Sequence, residues 1–525
     1  MTIRFQANGG YFVLNDRNAS AYQVTVDAGT DVALSDLKLP TLRHEMRQGI
    51  GYIFAGWYDS TDPQAPQTAW TGAEKLGEDL VLYAKWTEAS SFEDYLDYIR
   101  GQETEPGEVE KPSIIISDYE TLKAFQKYVA SGKSSTDDVF SLGADITLPA
   151  DWSNGISGFK GTFDGNGHTI HYDHAGSSLF GTVRGTVKNI SVSGTATCSG
   201  GIAASMAAGG SIENCVVTAG TVLNGTSLGG IVGSIVKADG TPSTEYRIKN
   251  CRVEDGVQIS GSDAYVGGIV GSVLTGSGTA VIEGCSVGKV KITGLGAVQP
   301  GVNPPSVKDP TAGSIGGLGG ILGYGGAAIS DCMSAAELEG TGVNTYGVGG
   351  IVGVIGTTQG KTTIDRCGFT GSITVENGNS IGGILGSDTY GGNPEERRTE
   401  IKDAYCTAEI NVKGTGGGNI GGILGSNVTA KDNRIDNAYW NGKLTNPLPT
   451  FDAVTSDAKT RVSNTYFAED GGFFSEREGA TGKPNSAFVS GELAYELDKS
   501  HSPRGTWTQG ETGPIFNKDG EAGII

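Results

Sequence analysis

The sequence has no run of 18 or more apolar residues, no CxxC pair, few histidines (five) and a deficit of positive charge. Each shortage excludes something. Without a long apolar stretch no membrane-spanning helix is expected. Met1 leads straight into alternating Ile3 and Phe5, not into a charged and then apolar leader, so neither export nor anchoring is written into the chain, as expected of a mature fragment. With 38 Lys and Arg against 59 Asp and Glu, the net charge of −21 repels phosphate backbones and anionic membrane surfaces, which argues against nucleic acid as a partner and against membrane insertion. The seven cysteines (198, 215, 251, 285, 332, 367 and 406) are odd in number, so a complete internal disulfide set is impossible. No histidine accompanies them as a metal site would require.

What is abundant is glycine, 85 of 525 residues, more than twice the usual share of about 7%. There is no three-residue glycine period, which excludes collagen, and the 37% of apolar residues recur in register, which excludes disorder. A Gly-Gly-Ile-(Val/Leu)-Gly block stands at 229–233, 267–271, 319–323, 349–353, 382–386 and 421–425, with a degenerate copy at 200–204. A fixed block at variable spacing is a structural rung joined by loops of differing length. No Lys-Ser/Thr follows these glycines and no helix pattern begins there, so they read as tight corners and not as phosphate loops.

A second block alternates with the first: apolar, any residue, Asn or Asp, apolar or Cys, any residue, apolar. It begins at Val187, Ile212, Ile248, Ile282, Ile329, Ile364, Ile401, Ile435 and Val462. Apolar residues at positions 0, +3 and +5 break the two-residue period of a straight strand, so position +2 must bend. That position holds Asn189, Asn214, Asn250, Gly284, Asp331, Arg366, Asp403, Asn437 and Asn464. Asn, Asp and Gly best tolerate a left-handed backbone, and only Arg366 departs. Two short strands meeting at a corner, repeated nine times without intervening helices, define the fold class as mainly β. The expected architecture is a right-handed parallel β-helix of about nine coils, a rod roughly 40 Å long. Cys215, Cys251, Cys285, Cys332 and Cys367 share position +3 and are expected to stack inward as small buried thiols, with Cys406 inward at +5.

The glycine rungs between about 200 and 430, with the lead-in from Phe159 to Ile170 and Leu179-Phe180-Gly181, resemble the GLUG repeat of large bacterial surface proteins. That resemblance implies a surface or adhesin region of the kind that accompanies immunoglobulin-cleaving proteases. Residues 1–87 are similar to a different module, the Listeria-Bacteroides repeat, through Phe5 to Gly10, Gly51 to Tyr58 and Leu82 to Trp86. This resemblance implies a small β-grasp-like domain. From the residues alone, Phe5, Phe54, Trp57, Tyr83 and Trp86 fill one sheet's core.

The expected division is a β-grasp-like module (1–87), an acidic linker (88–112) with one short helix near Phe92 to Ile99, a helical N-terminal cap (113–158), the β-helix (159–470) and a closing C-terminal cap (471–525). In the N-terminal cap, Ser117 and Glu120 form a capping box, and Leu122, Phe125, Tyr128 and Val129 share a face.

No catalytic set or cofactor site stands out. The outward +1 column runs Lys188, Glu213, Lys249, Glu283, Ser330, Asp365, Lys402, Asp436 and Ser463, a mixture suited to a solvated face. His168, His171 and His174 with Asp164 are where a metal would be sought, although surface polar residues at a coil edge are the commoner explanation for such a set. Recognition is expected on the insertions after the glycine rungs, at 234–247, 272–281 and 387–400, which carry Tyr246, Arg247, Tyr390, Glu395, Glu396, Arg397 and Arg398. A separate excursion at 294–314 carries Pro304 and Pro305. The functional expectation is a non-catalytic, extracellular bacterial surface or adhesin-type region, monomeric, that binds a glycan or a host or bacterial surface protein. The alternatives are a β-helix polysaccharide lyase or glycoside hydrolase, and a trimeric phage-tail-like fibre.

Overall fold

The computed structural model describes residues 2–14, 17–27, 36–61, 70, 79–102, 113–236, 245–262, 265–274, 280–294, 315–340, 345–356, 362–376, 378–388, 399–413, 418–427, 433–445, 451–470, 472–499, 501 and 505–517. The chain forms two compact units, one of residues 1–146 with 161–164 and one of 147–160 with 165–525.

In the first unit, strand Thr2–Gln6 lies between Ala21–Thr25, antiparallel to it, and Leu80–Glu88, parallel to it, and Tyr52–Tyr58 completes the four-stranded sheet. Alternation sends Ile3, Phe5, Leu82 and Ala84 into one core with Phe12 and Trp57. Phe54 and Trp86 pack against that core. Tyr83 does not: by the same alternation it stands on the opposite face from Leu82 and Ala84, half-buried. The stretch expected to be a linker is part of this unit up to Gln102. Helix α1 (Phe92–Gly101) is capped by Ser91 and buries Tyr95, Leu96 and Ile99, and the Tyr95 hydroxyl donates to His44 O at 2.8 Å. Helix α2 (Tyr119–Ala130) begins one residue later than the capping-box reading, because the Asp118 carboxylate accepts from Thr121 N at 2.8 Å and replaces Ser117 as the cap. Its buried face is the expected one, Leu122, Phe125, Tyr128 and Val129. Buried Asp138 ties the two helices together, accepting from Arg100 (2.6 Å) and from the Tyr128 hydroxyl (2.8 Å).

The second unit is a parallel β-helix. A representative coil has five short strands, Tyr246–Lys249, Arg252–Val253, Gln258–Gly261, Val266–Gly267 and Val270–Leu274, each paired in parallel with its equivalent one coil on. The position 0 residues stack in register from Val187 through Ile212, Ile248, Ile282, Ile329, Ile364, Ile401 and Ile435 to Val462. All nine corner residues, Arg366 included, have φ between 44° and 64°. That places positions +3 and +5 on the same interior side as position 0. All seven cysteines are buried and free, and burial pushes the Cys251 and Cys332 thiols well above their usual range. Buried and without disulfide partners, the seven act as small packing groups.

The C-terminal segment lies along the flank of the last coils. Helices α3 (Asn485–Val489) and α4 (Glu492–Asp498) and the hairpin Trp507–Gln509/Pro514–Phe516 cover the outward +4 residues Tyr405, Tyr439 and Tyr466. Tyr405 and Tyr439 stack at 5.4 Å, and the Tyr439 hydroxyl donates to Pro514 O at 2.6 Å. No helix among the described residues is long and apolar enough to cross a membrane.

Candidate functional site

In each coil the strand that follows the glycine corner must return to the strand that opens the next coil. The returning ends are in register: Val236 beside Leu274, Ile355 beside Asp388, and Asp388 beside Asn427. The opening strands are in register too, with Tyr246 beside Ala280 and Thr362 beside Thr399. Every return connection therefore leaves and re-enters on one edge of the β-helix. Their lengths differ, from two residues between Val183 and Thr186 to nine between Val236 and Tyr246 and ten between Asp388 and Thr399.

The feet of the two longest connections are fastened. Buried Asp388 accepts from Thr399 Oγ1 at 2.8 Å and from Asn433 Nδ2 of the next coil at 3.0 Å. These two hydrogen bonds satisfy one of its oxygens in a site shielded from water. At the other connection, the buried Tyr246 hydroxyl reaches back to Val236 O at 3.4 Å. Variable chain on fixed feet is the arrangement that recognition sites on rigid scaffolds use.

Several residues named from sequence lie elsewhere than expected. Tyr246 and Arg247 are strand residues, not loop residues: Tyr246 is a buried foot, and Arg247 is exposed and paired with Glu245. Their places in the Tyr246–Lys249 strand follow from in-register pairing with Ala280–Glu283, which sequence spacing alone did not count. Ser234 to Val236, Ser272 to Leu274 and Ser387 to Asp388 are likewise strand, so the insertions are shorter than the ranges read from sequence. Tyr390, Glu395, Glu396, Arg397, Arg398, Pro304 and Pro305 lie outside the described residues. The histidine trio does not converge. His171 Nδ1 is 3.0 Å from Ser193 Oγ, and His174 Nδ1 is 3.2 Å from Asp173 Oδ1 on an exposed strand. Asp164 belongs to the other unit. Among the described residues no three His, Cys, Asp or Glu side chains are grouped to hold a metal ion.

Beside the edge runs the charged outer face. Lys249 pairs with Glu283 across one coil step at 3.2 Å, as expected for opposite charges on neighbouring strands. Farther along, carboxylates do gather, which reading the +1 column alone had not shown, because Asp331 and Asp403 sit at +2 and Asp365 and Asp436 at +1. Arg366 lies among them. Its guanidinium holds Asp331 in a two-bond fork (2.6 and 2.7 Å) and Asp365 at 2.6 Å, and the Asp331 bonds raise its pKa further. Burial pushes Asp365 up, against the opposing pull of Arg366, and its Oδ1 is buried without a hydrogen-bond partner. Asp403 is fully enclosed and engaged by Asn437, Trp507, His501 and Lys402. Its oxygens hold the C-terminal segment in place and are not available to a substrate.

Arg366 explains its own exception: a side chain uncommon at positive φ stands where it pairs with two carboxylates. Because those ion pairs are part-exposed, Arg366→Asn is expected to cost less than about 1 kcal/mol. Arg366→Val, β-branched at the same φ, is expected to cost about 1–3 kcal/mol. Urea denaturation of the two variants side by side measures the order.

No family model matches the chain, and no curated protein is detectably similar in sequence. Among solved structures, one described as a putative immunoglobulin A1 protease from Bacteroides ovatus is similar at 19% identity over 78% of this chain and 92% of that one, with a TM-score of 0.35.

Proposed function

We propose that the chain is a non-catalytic recognition region of a bacterial surface or adhesin-type protein, and that its ligand, an extracellular glycan or surface protein, is held by the return connections on one edge of the β-helix. The observation that carries this reading is the pair of fastened feet around 237–245 and 389–398. Connections of differing length run between strand ends that are equivalent and in register. The commitment of Asp403 to the C-terminal segment, and of Asp331 to Arg366, supports a structural use of the gathered carboxylates over an acid–base pair. A second reading, a polysaccharide lyase or hydrolase on the same scaffold, is favoured by Asp365 alone, whose raised pKa and unpartnered oxygen suit a proton donor.

The test replaces 389–398, and separately 237–244, with a short Gly-Ser turn and measures binding to arrayed glycans and immobilised host-surface proteins. Binding by the parent that falls at least tenfold in one replacement, with the melting temperature unchanged, is expected. Release of reducing ends or unsaturated products from a polysaccharide panel, abolished by Asp365→Asn, overturns it in favour of the enzyme.

A further inference from the structure

The early coils of the β-helix carry a groove of about 540 Å³, away from the connections just described, where the Gly176–Ser178, Thr197–Ser199 and Asn224–Thr226 segments and Ser260 and Ser262 meet. Its chemistry is unusual for its uniformity. The lining holds no charged and no aromatic side chain, and Cys198 and Ala204 are its apolar residues. Everything else is hydroxyl, amide or glycine.

The geometry follows from the solenoid. Thr197, Asn224 and Ser260 are register partners on three successive strands, so their outward side chains form a row stepped by about 4.8 Å and spanning about 10 Å. Thr226 and Ser177 stand at the rim. Among the described residues, the side chains of Ser177, Thr197, Ser199, Asn224, Thr226 and Ser260 make no hydrogen bond to the protein. The floor beneath them is fixed. Cys198 N donates to Asn224 O and Ser262 N to Gly225 O, both at 2.8 Å, while the Ser178 hydroxyl is committed to Gly200 O at 2.6 Å. Gly225 keeps the floor low, since a Cβ there would stand 2.0 Å from Cys198 O. The backbone that carries the polar row is thus fixed before anything binds, so association has only side-chain rotamers to order.

We infer that this groove binds a short neutral saccharide of two or three rings. The groove is a site apart from the connection edge, and the inference does not rest on that edge being the recognition surface. An ionised ligand would shed hydration and meet no countercharge, and a wholly apolar ligand would cover the row of hydroxyls and its amide without hydrogen-bonding them. A chain of neutral hydroxyls matches both remaining properties, because each hydroxyl donates and accepts as the protein's own do. The step between rows is close to one sugar ring. Lacking an aromatic platform, the groove binds weakly, with a Kd on the order of 1 mM.

Saturation-transfer NMR tests this with cellotriose, chitotriose and mannotriose as neutral probes and trigalacturonate as the charged one. At least one neutral trisaccharide is expected to give a saturable signal at least fivefold above that of trigalacturonate. Ser260→Trp, at an outward and half-buried strand position, fills the groove and is expected to cut the signal at least tenfold. Asn224→Ala, which removes the only amide in the row, is expected to cut it severalfold. The version in which 389–398 is replaced should keep the full signal, which separates this site from the edge. No neutral probe binding, equal binding of trigalacturonate, or a signal untouched by both groove variants overturns the inference.

Discussion

Replacing Gly268 by alanine is expected to destabilise the β-helix by more than about 3 kcal/mol, the upper range of core overpacking. Gly268 does not have positive φ, so the reason is space. A Cβ there would stand 2.1 Å from Gly320 O on the next coil and 2.8 Å from Val287 Cγ2 in the core. Neither neighbour can give way. Gly320 O is backbone, and the coils are locked at this corner by Ile269 N and Val270 N, which both donate to Ile321 O at 3.0 and 2.9 Å. A methyl group must therefore part the two coils and break those bonds. The informative control is Gly220→Ala, where φ is +79° but no atom lies within 4 Å. It incurs only the left-handed backbone penalty of about 1–2 kcal/mol. Because a solenoid opens in parts, hydrogen exchange resolves the difference better than a single melting curve. The amides of Ile269 and Val270 should lose protection in Gly268→Ala and keep it in Gly220→Ala. Equal effects would mean that conformation, not close approach, selects glycine at the corner.

The same comparison shows what a sequence can disclose about such a fold. The +2 column was legible because one backbone angle recurs nine times, and the recurrence placed even Arg366 correctly although its side chain argues against the bend. The cysteine column was legible for the same reason. Strands of two to five residues, such as Val266–Gly267, were not, since they are too short to show a period of their own and exist only through their neighbours in the stack. Tyr246 illustrates the cost at the candidate site. An aromatic residue beside an insertion looks like a ligand contact, yet its pairing with Ala280 turns it inward. The groove at Thr197, Asn224 and Ser260 escaped notice because serine, threonine and asparagine are ordinary strand-surface residues until register aligns them. Asp403 and Trp507 meet across 104 residues of sequence, and no local pattern signals that contact.

Asp403→Leu is expected to release the C-terminal segment at a cost of about 3–5 kcal/mol, the penalty for removing one partner of a buried charged network. The Asp403 side chain is 2% exposed. Its Oδ1 accepts from Trp507 Nε1 at 3.1 Å and lies 3.0 Å from His501 Nε2, and Lys402 Nζ approaches Oδ2 at 3.5 Å. Leucine fills similar volume but leaves the indole N–H and the imidazole facing hydrocarbon, and it also takes a corner residue with φ of 48° out of the Asn/Asp class. Apolar packing opposes release, because Tyr405, Tyr439, Phe488, Leu493, Leu497 and Trp507 form one cluster. The polar loss prevails locally because it falls on Trp507 itself, the residue through which the hairpin joins that cluster. The segment should therefore open while the inner coils stay folded, seen as a red shift of tryptophan emission and rapid proteolysis near 499–506 without loss of the β-sheet circular dichroism. Asp403→Asn separates the two contributions. It suits the left-handed corner as Asn437 does and can still accept from Trp507, so it keeps that hydrogen bond while removing the charge and the acceptor that faces Lys402, with an expected cost of about 1–2 kcal/mol. If the asparagine variant releases the segment as completely as leucine, the carboxylate charge and not the hydrogen bond to Trp507 holds the flank closed.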